Sequence, residues 1–217
     1  MYFRQFFDPR SAAMSYLVAD PACGQAAFID PNPDPCQALV FRALLAERRL
    51  ALATVLFTHA HGAALDGLAD PYPGATVVAG AVPGSGDGFR QAVDGEVLRV
   101  GNEAIRVIAT PGHTAASVSY LWNDRLFCGD ALELGGCTLA ETDEGDPGRL
   151  YDSVTGRLFA LPDEVLVFPG HDFHGRTVST IGEERSRNPF FLARSRDAFV
   201  TAFRSARGAP GRGLVRQ

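Results

Sequence analysis

All five histidines of this 217-residue chain sit in three short motifs, each placed after a run of strand-like apolar residues. His59 and His61 lie in Thr58-His-Ala-His-Gly62, His113 in Thr110-Pro-Gly-His-Thr114, and His171 and His174 in Pro169-Gly-His-Asp-Phe-His-Gly175. Asp130, in Phe127-Cys-Gly-Asp-Ala131, ends a fourth such run. A fold that uses these residues together brings the ends of several strands to one point, which suits a layered α/β or α+β sandwich with a site at one sheet edge.

Single residues in these motifs have plain explanations. A histidine after Pro-Gly can be a turn or capping residue, and an aspartate after glycine a helix cap. The set as a whole points to a metal. His59 and His61 are two apart and would face opposite ways in an extended segment, so sharing an ion requires a turn, which Gly62 permits. A carboxylate closing an apolar strand, as Asp130 does, is costly unless paired or ligated. Two imidazoles and a carboxylate with open positions form the facial triad of non-haem Fe(II) oxygenases. The same donors serve catalytic zinc, so ligand type alone leaves the metal open.

The remaining sequence suits an α/β (α+β) sandwich. Ser15 to Val18 and Ala26 to Ile29 read as strands around a turn at Asp20 to Gly24, and Asp34 with Pro35 starts a helix running through Arg49. Ala53 to Phe57, Thr76 to Ala79, Glu96 to Val100, Ala104 to Ala109, Ser117 to Trp122, Arg125 to Cys128 and Glu164 to Phe168 are further strands. Gly148 to Ala160, Thr177 to Arg187 and Pro189 to Arg207 read as helices, with a mobile loop at Gly84 to Gly88. One domain over 1–207 and a frayed tail over 208–217 are expected.

A net charge of −5 without a basic stripe argues against nucleic acid, and all 20 basic residues are arginine. The absence of an apolar run of about 18 residues argues against a membrane span. Four scattered cysteines and no secretory h-region in Met1 to Arg10 lead to the expectation of a cytoplasmic protein. Cys128 reads as a small core residue and Asp66 as a cap or surface residue.

The order T-H-x-H, P-G-H-T, G-D, P-G-H-D resembles the metallo-β-lactamase superfamily. Within it the chain is similar to the persulfide dioxygenases, relatives of glyoxalase II. The likeness runs from F-R-Q-F-F-D-P at Phe3 to Pro9, through L-Y-D-S-V at Leu150 to Val154, to E-E-R-S-R-N-P at Glu183 to Pro189. It implies an αββα metallo-β-lactamase sandwich and one Fe(II) per chain on His59, His113 and Asp130, with zinc as the alternative. His61 and His171 would orient ligands or hold water. It also implies a small sulfur substrate with O2, sulfite and thiol as products, and a homodimer.

Three departures stand out. Ala63 and Ala64 replace the Asp and His that serve a second metal in hydrolytic relatives. Leu139 replaces a site-wall arginine, and Phe173 a tyrosine. The loss at Ala63 and Ala64 weighs against a two-metal enzyme. A mononuclear hydrolase of a thioester, ester or lactone remains the alternative, and a metal-binding sensor a third reading. Leu139 and Phe173 predict a more apolar pocket that favours a smaller or less polar substrate than glutathione persulfide.

Overall fold

The computed structural model describes residues 1–32, 34–60, 72–80, 89–137, 145–192 and 195–207. One six-stranded sheet has the order β1 (Tyr2–Phe7), β2 (Met14–Asp20), β3 (Gln25–Ile29), β4 (Ala51–Phe57), β5 (Thr76–Ala79) and β6 (Arg90–Gln91). The other has the order β12 (Ser179–Thr180), β11 (Leu166–Pro169), β10 (Arg125–Gly129), β9 (Val118–Trp122), β8 (Glu103–Ala109) and β7 (Val97–Val100).

Helix α1 (Pro35–Arg48) carries the crossover from β3 to its parallel neighbour β4 and covers the first sheet. Helices α2 (Pro147–Ser153), α3 (Ile181–Arg187) and α4 (Arg196–Arg207) belong to the second sheet's side. The layers are therefore helix, sheet, sheet, helix, and among the described residues no helix is long and apolar enough to cross a membrane.

Strand β2 shows how sequence makes this sandwich. Met14, Tyr16 and Val18 join the core between the sheets, while Leu17 and Ala19 alternate to the α1 side. Both faces are covered, so the strand reads as a nearly continuous apolar run instead of an alternating one. The inter-sheet core closes around Tyr120, Trp122 and Phe127 from the second sheet, all fully buried. Each such side chain contributes about 1.5–3 kcal/mol by leaving water.

Two buried tyrosines cross between the sheets at one end. The Tyr16 hydroxyl donates to the Pro169 carbonyl at 2.5 Å, and that of Tyr120 to the Phe57 carbonyl at 3.0 Å. Backbone bonds from Met14 N to Gly170 O and from Val118 N to Thr58 O, both 2.8 Å, tie the same end. The strand ends that precede His59 and His171 are thereby fixed to the opposite sheet.

Several boundaries differ from the sequence expectation. Strand β1 was not foreseen; it forms because β2 offers a full antiparallel ladder from Tyr2↔Ala19 to Phe7↔Met14. Helix α1 has Asp34 as N-cap and Pro35 in its first turn, as expected, but stops at Arg48, since Arg49 turns left-handed (φ 54°) to close the C-cap. Residues 177–180 are not helical: Ser179 and Thr180 pair with β11, and Thr180 caps α3. The last helix begins at Arg196 instead of Pro189, because the Asn188 carbonyl and side chain take up the N–H groups of Phe190, Phe191 and Leu192 in turns. Helix α2 is continued by a π-helical turn over Val154–Leu158. The expected loop at Gly84 to Gly88 and the tail at 208–217 lie outside the described residues.

Candidate metal centre

Strand β4 ends at Phe57 and delivers Thr58 and His59. Thr58 is buried, and its backbone N–H donates to Asp30 Oδ1 at 2.8 Å. Its hydroxyl lies 2.7 Å from Asp30 Oδ2 and 2.9 Å from His59 Nδ1. The hydroxyl has one proton and a charged carboxylate only accepts. With Asp30 ionised, Oγ1 donates to Asp30 and accepts from His59 Nδ1–H, which leaves Nε2 as the imidazole's lone-pair nitrogen. Burial pushes the Asp30 carboxyl up to about 7, against the two Thr58 hydrogen bonds that favour its charged form. Asp30 holds a left-handed backbone (φ 47°), which lets it turn back under the Thr58 loop.

Strand β8 is followed by Pro111 and Gly112, and then by His113, which is 2 % exposed. Gly112 (φ 144°) passes so close to α2 that a Cβ there would stand 2.3 Å from Leu150 Cα. Strand β10 ends at Gly129 (φ 52°), and Asp130 follows.

Asp130 Oδ2 stands 3.5 Å from His59 Nε2 and 3.6 Å from His113 Nε2. One donor atom from each of the three residues lies within 4.8 Å of the others, and the two rings meet edge-to-face. Two donors each about 2.1 Å from one metal are about 3.0 Å apart at a right angle and about 3.4 Å apart at a tetrahedral one. The spacing therefore suits one ion held by His59, His113 and Asp130.

The other oxygen of Asp130 is occupied. His171, placed by the end of β11 and a bridge to Ala13, brings Nδ1 to 2.8 Å from Oδ1. The carboxylate accepts, so the proton sits on Nδ1. Burial alone would raise the Asp130 pKa, but His59, His171 and His113 outweigh it and hold the carboxyl well below its ordinary value. Burial lowers the His171 pKa, and the Asp130 bond and charge more than offset that, leaving it raised.

Phe173 stacks on His171 at 5.6 Å and 2°, but half of it is exposed, so it shields the imidazole's face and does not enter the triad. His174 pairs with Glu133 at 3.6 Å, apart from the three-donor group. His61, Ala63, Ala64, Asp66 and Leu139 lie outside the described residues. Cys128 and Cys137 are buried in the core beneath the second sheet, where burial pushes both thiols up. Sequence reasoning passed over Asp30 and Thr58. The signal was available: Asp30 ends an apolar strand in Phe28-Ile29-Asp30, as Asp130 does.

A cleft of about 730 Å³ opens on His59 and His171. Its walls come from the β1–β2 turn (Asp8, Arg10, Ser11) and from the segment entering α1 (Pro31, Asn32, Asp34). The described lining combines the apolar Met14, Pro31, Pro35 and Phe57 with the charged Asp8, Arg10 and Asp34. Leu139, on which the expectation of an apolar pocket rested, lies outside the described residues, and Phe173 is not part of this lining.

No family model matches the chain. It is 36% identical over 191 residues to the mitochondrial persulfide dioxygenase ETHE1 of Bos taurus, covering 86% of this chain and 74% of that protein. It is 34% identical over 201 residues to a hydroxyacylglutathione hydrolase of Rhodopseudomonas palustris (strain BisA53), covering 88% and 74%. The crystal structure of ETHE1 from Myxococcus xanthus superimposes with a TM-score of 0.85 and 42% identity, over 94% of this chain and 90% of that one.

Proposed function

The chain belongs to the persulfide dioxygenase family of the metallo-β-lactamase superfamily, and from that premise we propose that it oxidises a persulfide with O2 at one iron held by His59, His113 and Asp130. The observation that carries this reading is the division of labour at Asp130. Oδ2 faces the two Nε2 atoms, while Oδ1 is taken by His171. One donor set is complete, and His171 acts on the ion through Asp130.

In the overall reaction one persulfide, one O2 and one water give one thiol, one sulfite dianion and two protons. The terminal sulfur loses four electrons, and O2 takes them up. An iron ion bound at the triad supplies the redox chemistry with O2 that no side chain here can provide. The protein's own part is orientation. Asp30 and Thr58 hold His59 with Nε2 inward, and the Nδ1–H of His171 fixes the rotamer of Asp130. His59, His113 and Asp130 would hold the ion, and the bound metal would let the sulfur substrate and O2 meet in one place. Phe173 restricts water at the open face of His171. The mononuclear hydrolase reading draws on the hydroxyacylglutathione hydrolase likeness; Ala63 and Ala64 weigh against a two-metal hydrolase only, so O2 uptake is what separates the one-metal readings. Four cysteines without a disulfide support a reducing compartment, the cytoplasm in this reading.

Elemental analysis of protein purified without added metal, with O2 uptake and sulfite release on a persulfide, tests the proposal. The expected result is about one iron per chain. His113→Ala and Asp130→Ala should each abolish metal binding, whereas His171→Ala keeps most of the metal and loses activity. Two zinc ions per chain, with thioester hydrolysis and no O2 uptake, would overturn it.

A further inference from the structure

We propose that the cleft beside the triad selects its substrate's tail by charge, taking a persulfide with an amine-bearing, carboxylate-free tail over the two-carboxylate tail of glutathione persulfide. The inference rests on the persulfide reading, since a substrate sulfur at the triad sends its tail into the space that opens on His59 and His171.

The described lining holds three carboxylates and a single guanidinium, that of Arg10; Asp30 is taken up by the two Thr58 hydrogen bonds, which leaves Asp8 and Asp34 as the charges beside Arg10. Arg10 is already engaged. Its backbone N–H and Nε donate to Asp8 Oδ1 at 3.0 and 3.4 Å, and Nη2 donates to Asp34 Oδ1 at 2.6 Å. A carboxylate tail brought to Arg10 would sit beside two carboxylates that already share its charge. Asp8 is saturated, because Ser11 Oγ and Asn32 Nδ2 also donate to it.

Asp34 is different. Among the described contacts it accepts only from Arg10 Nη2 and from Gln37 N, out of about four lone-pair directions. It is the acceptor an ammonium group would meet. Pro31 and Pro35 supply apolar surface for the methylenes between sulfur and amine. The first turn of α1 would favour an anion by its dipole, but Asp34 is its N-cap and already offsets that end.

One net charge a few ångströms away across an open cleft changes kcat/KM by roughly three- to tenfold, and salt weakens the effect. The test is O2 uptake by the metal-loaded full chain with persulfides of cysteamine, 2-mercaptoethanol, 3-mercaptopropionate and glutathione. The expected order is amine, neutral, anionic, with glutathione persulfide below the neutral compound and the spread narrowing at high salt.

Rates normalised to the neutral persulfide cancel any general loss of folded enzyme. Asp34→Asn, which still caps α1, should narrow the amine-to-anion ratio, and Arg10→Gln should widen it. Equal normalised rates, a preference for the anionic tails, or a shift in the same direction in both variants would overturn the proposal. Absence of O2 uptake even with the neutral persulfide would overturn the enzymatic reading as well; uptake without the charge order overturns charge selection alone.

Discussion

Replacing Thr58 with valine removes one hydroxyl at nearly constant shape and tests whether the Asp30–Thr58 pair sets the metal-binding form of His59. Thr58 is 1 % exposed, but its partners Asp30 and His59 are half-buried and line the cleft, so water satisfies part of what the hydroxyl leaves. Two partners are affected: His59 Nδ1 loses its acceptor at 2.9 Å and Asp30 Oδ2 its donor at 2.7 Å, while the bond from the residue 58 backbone to Asp30 survives. An unpaired buried polar group costs about 1–3 kcal/mol. Apo stability should fall by roughly 1–3 kcal/mol, the lower end applying where water reaches the two groups or Asp30 takes up a proton. Loss of the partner that orients a ligating histidine weakens metal binding by about 10–100-fold, or about 1.4–2.7 kcal/mol. Denaturant titration of the apo form and metal competition against a chromophoric chelator measure the two effects separately. Thr58→Ser keeps the hydroxyl and should bind metal close to the original strength. If the valine variant binds metal within about twofold of the parent, or serine is as damaging as valine, the hydroxyl does not set the imidazole and the reasoning fails.

Gly129→Ala should lower both stability and metal content, because its Cβ would fall 2.2 Å from Thr58 Oγ1 in a left-handed backbone (φ 52°); metal content equal to the parent's by elemental analysis would show that the Thr58 loop can move aside. Phe41→Ala should cost about 3–5 kcal/mol in chemical denaturation while leaving metal content intact, since Phe41 stacks on Phe28 at 4.0 Å and holds α1 to the sheet. Asp20 accepts from the backbone and side chain of Asn102, both at 2.9 Å, and from Ala22 N, and the Asn102 backbone bond leads in holding its pKa below the ordinary value. A depressed folded pKa means stability present above the unfolded value and lost as pH falls below about 4. The stability gap between parent and Asp20→Asn should therefore shrink on acidification, and a gap constant with pH would refute it.

Much of this architecture is local and so legible in the chain. The Asp34-Pro35 helix start, the Asn123-Asp124 turn, the Gly101-Asn102 turn and the apolar runs before His59, His113, Asp130 and His171 are all short-range signals. Residue types at strand ends nominated a wider set of histidines with Asp130, and the family resemblance picked out of it the three residues that converge within 4.8 Å. What the sequence could not show is which atoms face which. That Asp130 gives one oxygen to the triad and the other to His171 depends on β10 and β11 lying parallel, with Gly170 N bonded to Gly129 O at 2.9 Å. Strand β1 forms because β2 presents a free ladder, not because Tyr2 to Phe7 alternate cleanly. The Arg10–Asp34 ion pair in the cleft wall is the clearest case. Arg10 and Asp34 are 24 residues apart, and nothing in either neighbourhood predicts their contact. Propensity and periodicity act over a few residues, whereas charge pairing and cavity walls are set by distances that exist only once the sheets have packed.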